Sequence, residues 1–321
     1  MSASNYLQCK LALSIAGVLL GSAQGVFASP LAYVANEKTG TISIIDTNSD
    51  VVVKEVKAGK KPRGMAVGPD GKTLFVSDQP DNALALIDMV GNEAPTLLEL
   101  GESPEGVSAS PDGKYIIAAS EISNAVTFID AATKKKLFNV KTTGENPEHA
   151  VFSVDSKWVY VSAEESDTVD VIDVEKRKQV TSIKVGKRPR GIGFLANGKT
   201  AYVASELTNT VFAIDVASHK VIAKISAGVF ANGIATHPNS SKVYVSNGKD
   251  GTVSVIDTQT NTITNTIAVG KRPWNMAITP DGKKLYVANG RSNSVSVIDT
   301  EKEQNIKDIA VGEMPWGVVI R

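Results

Sequence analysis

Groups able to transfer protons or bind metals are scarce in this chain of 321 residues, which has three histidines and one cysteine. His149 directly follows Glu148. An imidazole beside a carboxylate can serve as a general base, a proton relay or an axial ligand. Filling a gap in the packing would account for it equally well. His149 is thus the one candidate catalytic residue, and no catalytic set is assigned. His219 and His237 fall in turns and read as ordinary surface residues. No His/Cys cluster has the spacing of a zinc site, so no metal centre is expected. A Walker loop, a dinucleotide-binding fingerprint and a nucleophile elbow are also absent from the sequence.

Position picks out a second set. A Gly-x-x-Pro loop recurs at Gly59, Gly101, Gly144, Gly186, Gly270 and Gly312, and the copy at Gly228 has Ala231 where the others have proline. The residue that follows is, in turn, Arg63, Glu105, Glu148, Arg190, Asn232, Trp274 and Trp316. Folding alone does not ask for arginine, glutamate and tryptophan at equivalent sites. Converging polar and aromatic groups are how a small-molecule site is lined, so these residues form the candidate binding set. A solvated rim of mixed charges is the plainer alternative. The next residue is glycine in five copies but His149 and Asn275 in the other two, and both join the set. Loops expected on the same face add Glu37, Asp78, Gln79, Glu121, Glu164, Glu165, Glu206, Asn247, Asn289 and Arg291. A partner protein or a cation is conceivable on such an acid-rich surface.

These positions recur because the whole chain does. Asp46, Asp88, Asp130, Asp173, Asp215, Asp257 and Asp299 follow one another at intervals of 42, 42, 43, 42, 42 and 42 residues. A period of about 40 to 45 residues marks a four-stranded unit that buries its faces only by stacking on its neighbours. Each unit reads as an inner strand, a turn such as Pro69-Asp70-Gly71, a strand such as LYVAN, and a strand such as VSVID ending at the periodic aspartate. An outer strand completes it. β-Branched and aromatic residues in short runs bounded by turn residues favour strands, and no helix is expected beyond the N-terminal segment. The aspartates read as turn caps and the recurring tyrosines (Tyr33, Tyr160, Tyr202, Tyr244, Tyr286) as core packing. The chain enters at a second strand, Leu31 to Asn36, and ends after a lone inner strand, Trp316 to Ile320. The expected fold is therefore an all-β, seven-bladed β-propeller with four antiparallel strands per blade. Pairing of the C-terminal strand with the N-terminal strands would close it and remove both open edges.

Residues 1–28 differ from the rest. Lys10 is their only charge, the apolar run LALSIAGVLLGSA follows, and Val26-Phe27-Ala28 suits a small-x-small cleavage site. This is the layout of a secretory signal, with cleavage expected near Ala28 and a periplasmic mature protein at 29–321 forming one propeller. Cys9 precedes the apolar run, which argues against a lipid anchor and leaves the mature chain without disulfides. No membrane span is expected after cleavage. Lysine plus arginine equals aspartate plus glutamate, 34 each, so no long-range field favours nucleic acid. A monomer is expected.

The motifs AYVAN, LYVAN, VGKRPRG and TPDGKKLYVANGRSNSVSVIDT resemble those of the YVTN family of β-propeller repeat proteins across essentially all of residues 29–321. The opening AYVANEKTGTISIID and the ending KRPWNMAITPDGKKLYVANGRSNSVSVID with VGEMPWGVVIR are similar to propellers associated with pyrroloquinoline-quinone (PQQ)-dependent alcohol catabolism. That resemblance implies an exported, non-catalytic binding or accessory protein beside a quinoprotein dehydrogenase or cytochrome. The tryptophan-rich docking motifs of quinoprotein dehydrogenases are missing, so no tightly bound PQQ is implied and no cofactor is predicted. Similar seven-bladed rings hydrolyse lactones, for which His149 as base with Arg63 and Arg190 on an oxyanion would be the minimal set. Others resemble d1-haem domains, for which His149 would be the axial ligand. Ala231 for proline and Val154-Asp155-Ser156 for Pro-Asp-Gly are departures from the family pattern.

Overall fold

A computed structural model describes residues 30–90 and 93–321. The expected leader at 1–28, with Cys9 and the expected cleavage site near Ala28, lies outside the described residues. The described residues form 28 strands in seven four-stranded antiparallel sheets, as the repeat requires. Six sheets are contiguous in sequence, such as Pro273–Ile278, Lys284–Asn289, Ser294–Asp299 and Gln304–Ala310. The seventh pairs the C-terminal strand, Pro315–Ile320, with Leu31–Asn36, followed by Thr41–Asp46 and Val51–Lys57. Ala32 pairs with Ile320 and Val34 with Val318, and the Leu31 and Arg321 backbones exchange two hydrogen bonds of 2.6 and 3.0 Å.

Burial follows position within the blade. The second and third strands are sandwiched between neighbouring blades, so both faces are covered; Lys284–Asn289 and Ser294–Asp299 are buried at nearly every residue. The outer strand has one face in water and reads as an alternation: in Thr262–Ala268, Ile263 and Ile267 turn inward between exposed threonine and alanine. Core clusters accordingly span two blades, as where Tyr160, Val169 and Val171 pack on Ile192, Val203 and Ile214.

The periodic aspartates cap turns as expected. Asp46 Oδ1 accepts from the backbone N–H of Asn48 (3.0 Å) and Ser49 (2.8 Å), and Asp257 Oδ1 from Gln259 (3.0 Å) and Thr260 (2.8 Å). The tyrosines do more than fill space. Tyr202 donates to Asn261 Oδ1 at 2.7 Å, Tyr160 Oη lies 2.8 Å from His219 Nδ1, and Tyr286 donates to Asp50. Each bond reaches the outer-strand turn of the next blade, where Asp50, His219 and Asn261 have positive φ. His219 is therefore a half-buried inter-blade link rather than a free surface residue. The described residues hold no α-helix. Three short 3₁₀ turns occur, at Gln79–Asp81, Glu164–Ser166 and Glu206–Thr208, all in loops between second and third strands.

Removal of Pro315–Arg321 would strip Leu31–Asn36 of its partner and open the ring. A melting temperature lowered by 10 °C or more, roughly the effect of losing several kcal/mol in a domain of this size, is the expected result in a calorimetric scan. An unchanged scan would contradict strand-mediated closure.

Candidate functional site

Each inner strand carries an irregularity at the candidate positions. Pro62 pairs with Asp78 and Met65 with Val76, so Arg63 and Gly64 face Ser77 alone. The same two-against-one register recurs at Pro147/Ala150, Pro189/Ile192, Ala231/Ile234 and Pro273/Met276. Such a bulge bends the strand and re-aims its side chains, here toward the axis at one end of the channel. Serine on the paired strand accepts the displaced N–H: Ser77 from Gly64 (2.9 Å), Ser162 from His149 (3.0 Å) and Ser246 from Gly233 (2.8 Å).

The glycine after the rim residue has a packing cause. A Cβ on Gly106 would lie 2.6 Å from the Glu148 carbonyl oxygen and 2.9 Å from His149 Cα; one on Gly191 would lie 2.6 Å from the Asn232 carbonyl oxygen. Neighbouring inner strands approach too closely for a side chain. His149 and Asn275 are the exceptions, and both project into the channel.

All nine candidates gather at this end. Arg63, Glu148, Arg190, Asn232, Trp274, Asn275 and Trp316 line a cavity of about 240 Å³ with Glu121, Glu164, Arg188 and Arg272. Glu105 lies behind it with no exposed surface. His149 instead lines an adjoining space of about 140 Å³ with Met65, Val107, Ile192, Ile234 and Val318, and Arg63, Asn275 and Trp316 border both spaces. Its ring stacks on Trp316 at 5.6 Å between centroids and 10° between planes.

The rim is an ionic lattice, not a solvated ring of charges. Arg190 pairs with Glu148, with Glu164 at 3.2 Å and with Glu206 at 3.0 Å. Arg63 pairs with Glu105 and, at 3.1 Å, with Glu37, which Lys61 also approaches at 3.5 Å. Arg188 pairs with Glu164, and Arg272 with Glu206 at 2.7 Å. The Arg272 guanidinium also lies between the rings of Phe230 (5.2 Å) and Trp274 (5.9 Å). Gln79 Nε2 donates to Glu105 and to Glu121 (3.2 Å), and Ser103 Oγ to Glu121 (2.7 Å).

Electrostatics differ from one carboxylate to the next. Burial pushes Glu105 up to about 8 despite the opposing pull of Arg63, and Glu121 adds to the rise. Burial also raises Glu164 against Arg188. At Glu206 burial is outweighed by Arg190, Arg272 and Arg188, which hold the carboxyl below its ordinary value. Burial pushes the His149 imidazole down to about 4, with Asn275 pulling the other way, and neither ring nitrogen has a hydrogen-bond partner of normal geometry. Glu148 Oε1 is 3.9 Å from His149 Nδ1. At neutral pH His149 is uncharged.

Several face residues serve the scaffold instead. Asp78 is fully buried and accepts the N–H groups of Lys60 (2.8 Å) and Lys61 (3.0 Å) in the loop; Asn247 and Asn289 are buried on Ser254 and Ser296, each at 2.9 Å. Arg188 and Arg272 did not stand out in the sequence. Their signal was the repeated Lys-Arg-Pro before the rim residue in two copies. One group of acids, Glu121, Glu148 and Glu164, brings an oxygen from each within 4.8 Å of the others.

The model of the lactonase family, described as a 7-bladed β-propeller, matches residues 173–309. No curated protein matches the chain in sequence. Among solved structures, hydrazine synthase of Kuenenia stuttgartiensis superposes with a TM-score of 0.77 at 23% identity, over 84% of this chain and 92% of that one. A protein of unknown function from Desulfotomaculum acetoxidans has a TM-score of 0.77 at 17% identity, over 90% of this chain and 98% of the other. The dihydro-heme d1 dehydrogenase NirN in complex with DHE has a TM-score of 0.69 at 15% identity, over 90% and 74% respectively. At these identities the structural likeness establishes the propeller fold.

Two substitutions probe the lattice. Glu105 has a folded pKa of about 8 against an ordinary 4.5, so its contribution favours the folded state at low pH and is lost as pH rises through that window. Glu105→Gln removes this loss. Relative to wild type the variant gains stability between pH 5 and 8.5, on the order of a few kcal/mol, read from urea midpoints. Arg190→Ala leaves three buried carboxylates short of a cation and costs about 3–5 kcal/mol at pH 7 in the same assay.

Proposed function

We propose that this chain is a non-catalytic binding propeller that holds a small polar molecule at the channel mouth and serves an exported redox pathway as an accessory protein. The observation that carries the binding role is a cavity of about 240 Å³ lined by ion-paired arginines and glutamates, in which polar groups and two indoles converge. A periplasmic setting, with a PQQ-linked dehydrogenase or a cytochrome as partner, is supported by the leader-like N-terminus and by the likeness of both ends of the chain to PQQ-associated YVTN propellers.

The lactonase reading has the match at residues 173–309 in its favour. The groups it needs are otherwise engaged. Arg63 and Arg190 are both bound to carboxylates, and His149 lies under Trp316 and lines the adjoining space. A general base must reach the proton that it removes, and this one does not line the polar cavity.

The haem reading rests on the two unpartnered nitrogens of His149 and on the fold shared with NirN. The residues do not fit the group. Pockets for drug-sized ligands run to roughly 300–1,000 Å³, and the mouth cavity is below that range. Trp316 covers the imidazole, and the ion pairs of the rim would have to part before a macrocycle could enter. PQQ, an acidic quinone, would need free cations, whereas all four mouth arginines are ion-paired.

Two measurements test the proposal. Wild type and His149→Ala should hydrolyse aliphatic lactones at the same rate as buffer alone; a wild-type rate lost in the variant would make the chain a hydrolase. Affinity purification from a periplasmic fraction should retain a quinoprotein dehydrogenase or a c-type cytochrome. Retention of neither would remove the redox assignment.

A further inference from the structure

The mouth cavity is short of positive charge. Six carboxylates meet in its lattice: Glu37, Glu105, Glu121, Glu148, Glu164 and Glu206. Five cations oppose them, Arg63, Arg188, Arg190, Arg272 and Lys61. Glu165, exposed on the same rim, also has no ion pair among the described residues, so two acids are left over when all ionise, and one of them lies among the buried carboxylates. Among the described residues Glu121 has no cation within ion-pair distance; its partners are the Ser103 hydroxyl and the Gln79 amide.

Glu121 is also one of the three acids whose oxygens converge within 4.8 Å, with Glu148 and Glu164. Behind them Glu105 is wholly buried, is joined to Glu121 through Gln79, and has one carboxylate oxygen without any partner. Trp274 and Trp316 line the same cavity as the three acids. Resting on the binding role proposed above, we infer that the ligand is a small primary ammonium ion, with its N–H donors on Glu121, Glu148 and Glu164 and its carbon chain against the two indoles.

The chemistry of the donor set selects this class. An ammonium has three donors and no acceptor, which matches three converging carboxylates. Indole faces attract cations and cover apolar chain. A divalent metal fits less well. Calcium takes six to eight oxygen ligands and magnesium a near-ideal octahedron, more than the three converging acids supply with one oxygen each. The guanidiniums of Arg188 and Arg190 would repel a double charge more than a single one. Burial raises Glu105 and the nearby Glu121 charge adds to the rise, so Glu105 holds a proton near neutral pH that a bound cation would release.

Isothermal titration of the full propeller with n-butylamine hydrochloride tests the inference, with 1-butanol, sodium butyrate and calcium chloride as parallel titrants. Butylamine is expected to bind alone among the four. Its affinity should rise several-fold from pH 6 to pH 9, because the Glu105 proton competes while an alkylammonium stays charged to about pH 10. Glu121→Gln removes no existing ion pair and should fold as wild type, yet weaken butylamine about tenfold or more. Trp274→Leu should weaken it as well.

Binding of butanol or butyrate as tight as that of butylamine would overturn the ammonium class while leaving the mouth a binding site. Calcium binding without amine binding would replace the inference with a metal site. Unchanged affinity in Glu121→Gln, or no heat with any titrant, would sink it; the binding-partner experiment judges the accessory role separately.

Discussion

Seven inner strands converge on one axis, and the space they leave there governs the rest of the molecule. Adjacent strands are so close that a methyl group on Gly106 or Gly191 would run into the backbone of the next blade. Glycine therefore holds that position in five of the seven copies, and the charged and aromatic side chains collect at the end of the channel, where the bulge after the loop proline turns them inward. Functional character is concentrated at that end because the geometry leaves little room for it elsewhere along the axis.

Concentrating charge in this way is costly unless the charges answer one another. Removing a carboxylate or a guanidinium from water carries a penalty of several kcal/mol per ion, returned only by well-placed partners. Arg190 meets that condition by contacting Glu148, Glu164 and Glu206, which belong to an inner strand and two 3₁₀ turns in different parts of the chain. It fixes loop to loop as well as charge to charge. A lattice of this kind adds little net stability but admits few alternative arrangements, so the cavity is shaped before any ligand arrives. Preorganisation of that sort lowers the entropy lost on binding and sharpens discrimination by charge.

The fold was legible because each blade repeats its instructions. Period, strand types and the split closure between Leu31–Asn36 and Pro315–Ile320 were all readable, since turn residues and β-branched runs act locally and recur seven times. The mouth was legible in part. Arg63, Glu105, Glu148, Arg190, Asn232, Trp274 and Trp316 were identified by departing from the repeat; all but Glu105 line one cavity, and Glu105 is buried against Arg63. Their pairing was not readable, because it depends on distances between loops about 20 to 60 residues apart in sequence. Arg188 and Arg272 were overlooked for the same reason. His149 was singled out correctly as unusual, but only packing shows that it stacks on Trp316 and lines the adjoining space. His219 was misjudged because its partner, Tyr160, belongs to the neighbouring blade.

The split blade has a kinetic consequence. Leu31–Asn36 is among the first strands to leave the ribosome, yet its partner is the last, since Ala32 pairs with Ile320. Until the whole chain is available, the leading sheet has three strands and an unsatisfied edge, while the other six blades can form in order from local pairings. The final contact has the longest sequence separation in the molecule and so the largest entropy to overcome, which makes ring completion the slow step. During that interval the bare edge of Leu31–Asn36 is a template for strands of other chains.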